Sequence, residues 1–418
     1  MMKHSCERPT LSPSTVESPA QASVSATPSA SAVASTAILT GPFLLLCFGH
    51  FAVDFYSSAV ATLQPLLAEK YALTLAQVGA LSGAFMFGSA VMQLFFGLLS
   101  DRVHSRLFVV LGLATAGVFL SSLGVATSYL MLLAIALIGG MGVAAFHPQS
   151  TSQAAAHSKT RRGLAVAIFI AAGMVGLSLG PSYFSTMVEQ IGLEGLPLAS
   201  IPALIIAGFL LWMLPAPSNG DSSGPSFNWE PFRREWKPLL LHYAIVVLRS
   251  VVHLGIAQFL TLYLYRERGF TLRQASLWLT VFFASSAIAS LTGGSLADRI
   301  GGRRVVLISM IACIPFLALF LGTTGWLSLT GLFLGAIILL LTNPVIIVMA
   351  QDLVPEQAGT ASALVMGFGW GMAGITFIPM LGWIADHVGL QTVFWGVIAL
   401  PVLGFLMALK LPKEARAS

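Results

Sequence analysis

Charge is what this 418-residue sequence has least of: Asp, Glu, Lys and Arg make up 9% of it, where an ordinary soluble domain carries about 25%. With 56% hydrophobic residues, a chain this long cannot cover a water-facing surface with polar side chains, and a soluble globule is excluded. The formal charge of +5 does not point to nucleic acid, because the basic residues are scattered over short loops and form no patch. Cysteine is also scarce. Cys6, Cys47 and Cys313 are too far apart for a disulfide framework or a metal spacing, and neither metal nor cofactor is expected. No nucleotide loop, zinc motif or nucleophile–base constellation is visible, so an enzyme is not expected either. Large apolar residues are nearly absent before Ile38, which leaves too little burial to offset the entropy of folding. Residues 1–37 are therefore expected to form a disordered tail. Ala32-Val33-Ala34 has the look of a cleavage site, but no apolar segment precedes it, and a cleaved signal peptide is not expected.

What is present is long apolar runs. They cover residues 39–64, 75–99, 106–126, 129–151, 163–187, 197–214, 238–264, 274–297, 304–323, 326–350, 358–383 and 391–410. A run of roughly 20 apolar residues spans a bilayer. In lipid a backbone must satisfy its own hydrogen bonds, and the alternation of a barrel is missing, so the spans are helices. Orientation follows from the basic residues. With the N-terminus inside, sixteen of the 21 Lys and Arg fall on the cytoplasmic side. Lys70, Arg266, Arg268 and Arg273 fall outside, and Arg249 lies within a span. The expectation is an all-α, multi-pass membrane protein with twelve transmembrane helices and both termini cytoplasmic.

The spans repeat. Gly97-x-x-x-Asp101-Arg102, with Arg106 beyond, follows the second span. Gly294-x-x-x-Asp298-Arg299, with Gly301, Arg303 and Arg304 beyond, follows the eighth. Counted from the two aspartates, His147-Pro148 matches Asn343-Pro344, Pro181 matches Pro379, and Pro215 matches Pro412, each to within one residue. The expected organisation is a tail over 1–37, a six-helix bundle over 38–215, a cytoplasmic linker over 216–236, a second bundle over 237–412 and a short tail over 413–418. Trp229, Phe232 and Trp236 suit the linker to the membrane surface. Two parallel six-span halves place a substrate site between them near the midplane and move it by rocking.

The duplicated Gly-x-x-x-Asp-Arg loop resembles the signature loop of the major facilitator superfamily. That resemblance implies a conformational latch formed by Gly97, Asp101, Arg102, Gly294, Asp298, Arg299, Arg303 and Arg304. Its glycines would allow close helix approach, and its aspartates would sit at helix N-termini of the opposite half. The first copy departs from the pattern, with Val103-His104-Ser105 between its arginines. In the fifth span, Gly173-x-x-Gly176-x-x-x-Gly180-Pro181 resembles the glycine–proline motif of the antiporter branch and serves equally as a packing seam. A narrower resemblance, over about residues 40 to 411, is to the fosmidomycin-resistance family of bacterial efflux proteins. It rests on His50-x-x-x-Asp54, Phe146-His147-Pro148-Gln149, Ala350-Gln351-Asp352 and Gly367-Phe368-Gly369-Trp370-Gly371. It implies proton-coupled export of a small drug or metabolite across the bacterial inner (cytoplasmic) membrane. Gln149 stands where that family commonly has Glu.

Asp54 is the one carboxylate placed deep in a span, where an ionisable group costs at least about 2.5–3.5 kcal/mol on insertion scales. His50 lies one turn away on the same face, and Arg249 and His253 repeat that spacing in the seventh span. The expected proton-coupling pair is Asp54 and His50. The expected cavity adds Arg249, His253, His147, Gln149, Tyr56 and Asn343, with Arg249 either pairing with Asp54 or meeting an anionic substrate. The expected partners are a small-molecule substrate, protons and the lipid bilayer, and the expected state is a monomer. A proton-coupled importer is the alternative; a receptor or scaffold on a transporter fold is a more distant one.

Overall fold

The computed structural model describes residues 39–103, 105–157, 162–215 and 228–411. The N-terminal tail, most of the linker, the C-terminal tail, Lys159 and Arg161 lie outside the described residues, as does the side chain of Asp101.

Every apolar run falls on helix. The helices are α1 (Gly41–Lys70), α2 (Leu75–Ser100), α3 (Leu107–Ser121), α4 (Tyr129–Ala156), α5 (Arg162–Gly195), α6 (Ile201–Met213), α7 (Trp236–Arg266), α8 (Leu272–Ile300), α9 (Gly302–Gly322), α10 (Gly325–Leu353), α11 (358–388) and α12 (Leu390–Ala408). Among the described residues nine helical runs are long and apolar enough to cross a membrane. Large apolar side chains point away from the protein: Leu98, Leu130, Trp212, Leu291 and Trp326 are each more than two-thirds exposed. Such a surface is stable only against lipid.

The starts of α2 and α8 show local sequence writing the same structure twice. Thr74 with Gln77, and Thr271 with Gln274, each form a reciprocal capping box. Chain reversals use glycine where the backbone turns left-handed, as at Gly301 (φ 89°) and Gly389 (φ 80°). Three stretches, Phe87–Val91 of α2 and Ala363–Phe368 and Ala373–Phe377 of α11, are wound as π-helix. Such bulges gather at functional sites.

Helix partners repeat as the sequence does. Within the first set α3 packs on α4, α1 on α5 and α2 on α4; within the second α9 packs on α10, α7 on α11 and α8 on α10. Lipid gives helices no hydrophobic reason to associate, so close backbone approach through small residues does the work. A Cβ on Gly112 of α3 would lie 2.7 Å from the carbonyl of Gly142 on α4, and one on Gly331 of α10 would lie 2.6 Å from that of Phe316 on α9.

Loops gather at two ends. At one end, Arg106 donates to the carbonyl of Leu214 (2.8 Å) and Arg303 to that of Leu409 (2.8 Å), and Arg234 pairs with Glu356 (3.6 Å). We call this the linker end. At the distal end, Lys70 reaches Glu194 (3.2 Å), Arg268 donates to the carbonyls of Leu321 and Thr323, and Glu267 accepts from the backbone of Leu390. Among the described residues the hydrogen bonds and ion pairs between residues 41–215 and 236–411 run from the distal end to mid-depth. They join Asp386 to Leu75 and Ala76, Tyr265 to Glu69, Arg273 to Glu189, Thr280 to Ser178 and Ser182, and Thr261 to the carbonyl of Ala61. The halves are pinned together at the distal end.

Candidate functional site

Asp54 sits in the middle of α1 with an imidazole on each carboxylate oxygen. Nε2 of His50 lies 3.3 Å from Oδ2, and Nε2 of His147, from α4, lies 3.3 Å from Oδ1. Sequence placed His50 by its four-residue spacing on one helix. His147 arrives from 93 residues away because α4 packs on α1 at this depth. The aspartate side chain is 21% exposed.

His50 is held rigidly. Its Nδ1 lies 2.7 Å from the carbonyl of Phe169 on α5, and its ring stacks on the rings of Phe169 (4.1 Å) and Phe146 (6.2 Å). A carbonyl only accepts, so Nδ1 carries a hydrogen. Nε2 therefore faces a carboxylate oxygen with the ring's remaining lone pair unless it too is protonated. Two acceptors do not face each other stably. A proton must be held within the His50–Asp54 pair, on the imidazole or on the carboxyl. Asp54, His50 and His147 form one contiguous cluster of proton-binding groups. Their ligand atoms lie within 4.8 Å of one another, so the same donors could also coordinate a transition-metal ion.

The α5 glycines explain how the cluster is packed. A Cβ on Gly173 would lie 2.4 Å from Oδ2 of Asp54 and 2.6 Å from the His50 ring. One on Gly176 would strike the carbonyl of Phe51, and one on Gly180 those of Phe55 and the Ser58 side chain. The Gly-x-x-Gly-x-x-x-Gly-Pro181 run is thus a seam that lets α5 lie directly over the charged turn of α1.

The cluster opens on a cavity of about 300 Å³ between the halves, at the small end of the usual range for small-molecule sites. The first half contributes Asp54, Ser57, Ser58, Gln93 and His147; the second contributes His253, Gln258, Phe283 and Trp370. Two roomier grooves, of about 400 and 520 Å³, are almost wholly apolar and open sideways between exposed leucines; lipid suits them, not a polar solute. His253 stacks on Phe282 (5.1 Å) and approaches Ser286 (3.4 Å), with Nδ1 unpartnered. Gln93, Gln258 and Trp370 line the cavity as well. Ser89, Phe283 and the Phe169 carbonyl had no sequence signal at all.

Other expected cavity residues lie elsewhere. Arg249 does not pair with Asp54. It is 1% exposed, its Nη2 lies 3.2 Å from Oγ of the adjacent Ser250, and its Nε and Nη1 find no hydrogen-bond partner among the described residues. Equal depth in α1 and α7 does not make two side chains meet, because each helix is also rotated about its axis. Tyr56 is a packing residue, its hydroxyl donating to the carbonyl of Ala199 (2.6 Å). Gln149 is buried away from the cavity, and Asn343 is half-buried outside it. In the signature loops, the close approach expected of Gly294 belongs to its neighbour: nothing lies near a Cβ at Gly294, whereas one on Gly293 would strike the carbonyl of Leu341. Gly97 is only in ordinary contact range of Pro148 (4.0 Å). Arg102, Asp298, Arg299 and Arg304 are exposed.

Two pinned halves, a cavity between them that carries a few convergent polar groups, and a lipid-facing exterior are the marks of a membrane transporter. The sequence pattern of the Major Facilitator Superfamily matches residues 46–271 and again 254–418, and the chain belongs to that family. It is 28% identical to the fosmidomycin resistance protein of Escherichia coli K12 over 389 residues, covering 91% of this chain and 95% of that one. It is also 28% identical to the uncharacterised MFS-type transporter YfnC of Bacillus subtilis, over 88% of this chain and 91% of YfnC. A bacterial homolog of the human lysosomal transporter Spinster, solved in an inward-facing and occupied conformation, shares the fold at a TM-score of 0.76 and 15% identity, with 88% of this chain and 95% of that one covered. The chain is a multi-pass transporter of the bacterial inner membrane, and its relatives are transporters, not enzymes.

Proposed function

We propose that the protein exports a small organic compound bearing an anionic group in exchange for protons. The observation that carries this reading is the Asp54 carboxylate at the cavity wall with an imidazole on each oxygen. Among the described residues it is the only carboxylate that lines the cavity. Gaining or losing one proton changes the cluster's net charge by one unit at the cavity wall, so its protonation can be tied to the charge of what occupies the cavity, which is what a coupling site needs. Proton and substrate must favour different states for exchange to be coupled. Export is supported by the resemblance to an efflux protein. An anionic group is supported by Arg249, a buried cation with no carboxylate within ion-pair distance among the described residues.

Counterflow in proteoliposomes tests the reading. Exchange of the correct substrate is expected without a gradient, and an imposed pH gradient should drive substrate against the proton flow. Accumulation in the same direction as protons would make the protein an importer, and transport indifferent to ΔpH would remove proton coupling. The orientation that makes this export has the linker end cytoplasmic. Cysteine at Arg234 should be protected from an impermeant thiol reagent in intact cells, and cysteine at Thr127 should react; the opposite pattern would invert the topology.

A further inference from the structure

The first turn of α2 is complete only with a residue of the other half. A helix begins with N–H groups that have no partner of its own. In α2 the capping box takes care of Thr74 N, which donates to Oε1 of Gln77 (3.0 Å), and of Gln77 N, which donates to Oγ1 of Thr74 (3.2 Å). The two donors between them, Leu75 N and Ala76 N, bond Oδ1 and Oδ2 of Asp386 at 2.6 and 2.9 Å. Asp386 lies in the last turn of α11. The first turn of α2 has no acidic residue of its own, so the negative charge that a helix N-terminus favours comes entirely from across the interface.

The backbones close tightly around this contact. A Cβ on Gly382 of α11 would lie 2.2 Å from the carbonyl of Leu75, and one on Gly79 of α2 would lie 2.8 Å from that of Ile378. The arrangement has a pseudo-symmetric counterpart. The same Thr-Leu-x-Gln start recurs at Thr271-Leu272-Arg273-Gln274 of α8, and the facing α5 sends Glu189 to within 3.6 Å of Arg273. Each half extends an acid from the distal part of its fifth helix to the first turn of the other half's second helix.

We propose that Asp386 is the distal gate residue, a bidentate lock that must break each time the cavity opens toward the distal side, with Glu189–Arg273 as its looser counterpart. Opening hands two backbone donors to water and separates a carboxylate from a helix N-terminus. The lock therefore weights the equilibrium between access states while touching neither cavity nor substrate. This rests on alternating access by the family fold and not on the assignment of proton or substrate.

The test uses the full chain with Cys6, Cys47 and Cys313 replaced and spin labels on Thr127→Cys and Val388→Cys, exposed positions on opposite halves at the distal end. Distances are measured in nanodiscs without substrate and at a single pH, so the outcome is independent of the proposed transport reaction. Asp386→Asn and Asp386→Ala should raise the long-distance population several-fold. Leu75→Pro should do the same from the other side: proline is accepted at a first helical position, Thr74 before it is already extended, and one of the two donors is lost. Thr74→Ala removes the cap that α2 supplies itself but no bond between halves, and should leave the distribution in place. The proposal is overturned if Leu75→Pro and Asp386→Ala keep the wild-type distribution, or if Thr74→Ala shifts it as much as they do.

Discussion

Asp54→Asn will uncouple transport from the proton gradient while leaving the transporter able to exchange substrate for substrate. The substitution preserves shape and fixes the group in a neutral form. If protons are exchanged through the His50–Asp54–His147 cluster as proposed, each adds about 1.4 kcal/mol of driving force per pH unit, enough for a tenfold substrate gradient. In Asp54→Asn that gradient should fall to one. The amide can still bond one imidazole, and Gly173 leaves no room for a large rearrangement, so substrate exchange at equal pH should persist. Wild-type accumulation by Asp54→Asn under a pH gradient would remove Asp54 as the coupling group. His147→Ala is the companion measurement. It takes away one imidazole but leaves the His50–Asp54 contact, and should change the pH at which coupling is half-maximal more than it changes the gradient reached. A loss as complete as that of Asp54→Asn would mean that His147 itself carries the proton.

The parts of this site that sequence made legible are those fixed by one helix. The His-x-x-x-Asp spacing puts His50 and Asp54 on one face whatever surrounds them, and the structure has them 3.3 Å apart. Twelve apolar runs became helix because lipid leaves the backbone no other choice. What could not be read is relative rotation. Arg249 matches the depth of His50 in the corresponding helix of the other half, yet its side chain meets Ser250 rather than Asp54. His147 had no better sequence claim than His253, and α4 happens to turn it onto the aspartate. Azimuth is set by packing seams such as Gly173-Gly176-Gly180, whose glycines mark a close approach without saying which helix approaches. The π-helical stretches of α2 and α11 were illegible for a related reason: one extra residue per turn rotates everything beyond it, and apolar composition does not record it. The distal lock was missed because Asp386 looks, in sequence, like an ordinary loop-edge carboxylate.

Arg249→Met will weaken substrate binding far more than it weakens the protein. A guanidinium 1% exposed, with Nε and Nη1 unpartnered, is costly to keep inside a membrane protein. Methionine fills similar space without that cost, so the substrate-free variant should melt at or above the wild-type temperature. A residue kept only for packing or for an internal ion pair would show the opposite, since removing one partner of a buried pair is destabilising. If the charge waits for an anionic group on the substrate, its loss should cost the 1.5–3 kcal/mol typical of a hydrogen bond to a charged group, or about 10- to 150-fold in Kd. Arg249→Lys keeps the charge but not the planar fork and should fall between the two. His253, one turn along α7, lines the cavity, and the proposed rocking of the halves would have to carry that opening one turn further to reach Arg249. Unchanged affinity in Arg249→Met, measured with the substrate found by counterflow, would show that the cation does not bind substrate, and a lowered melting temperature alongside it would make Arg249 a structural residue.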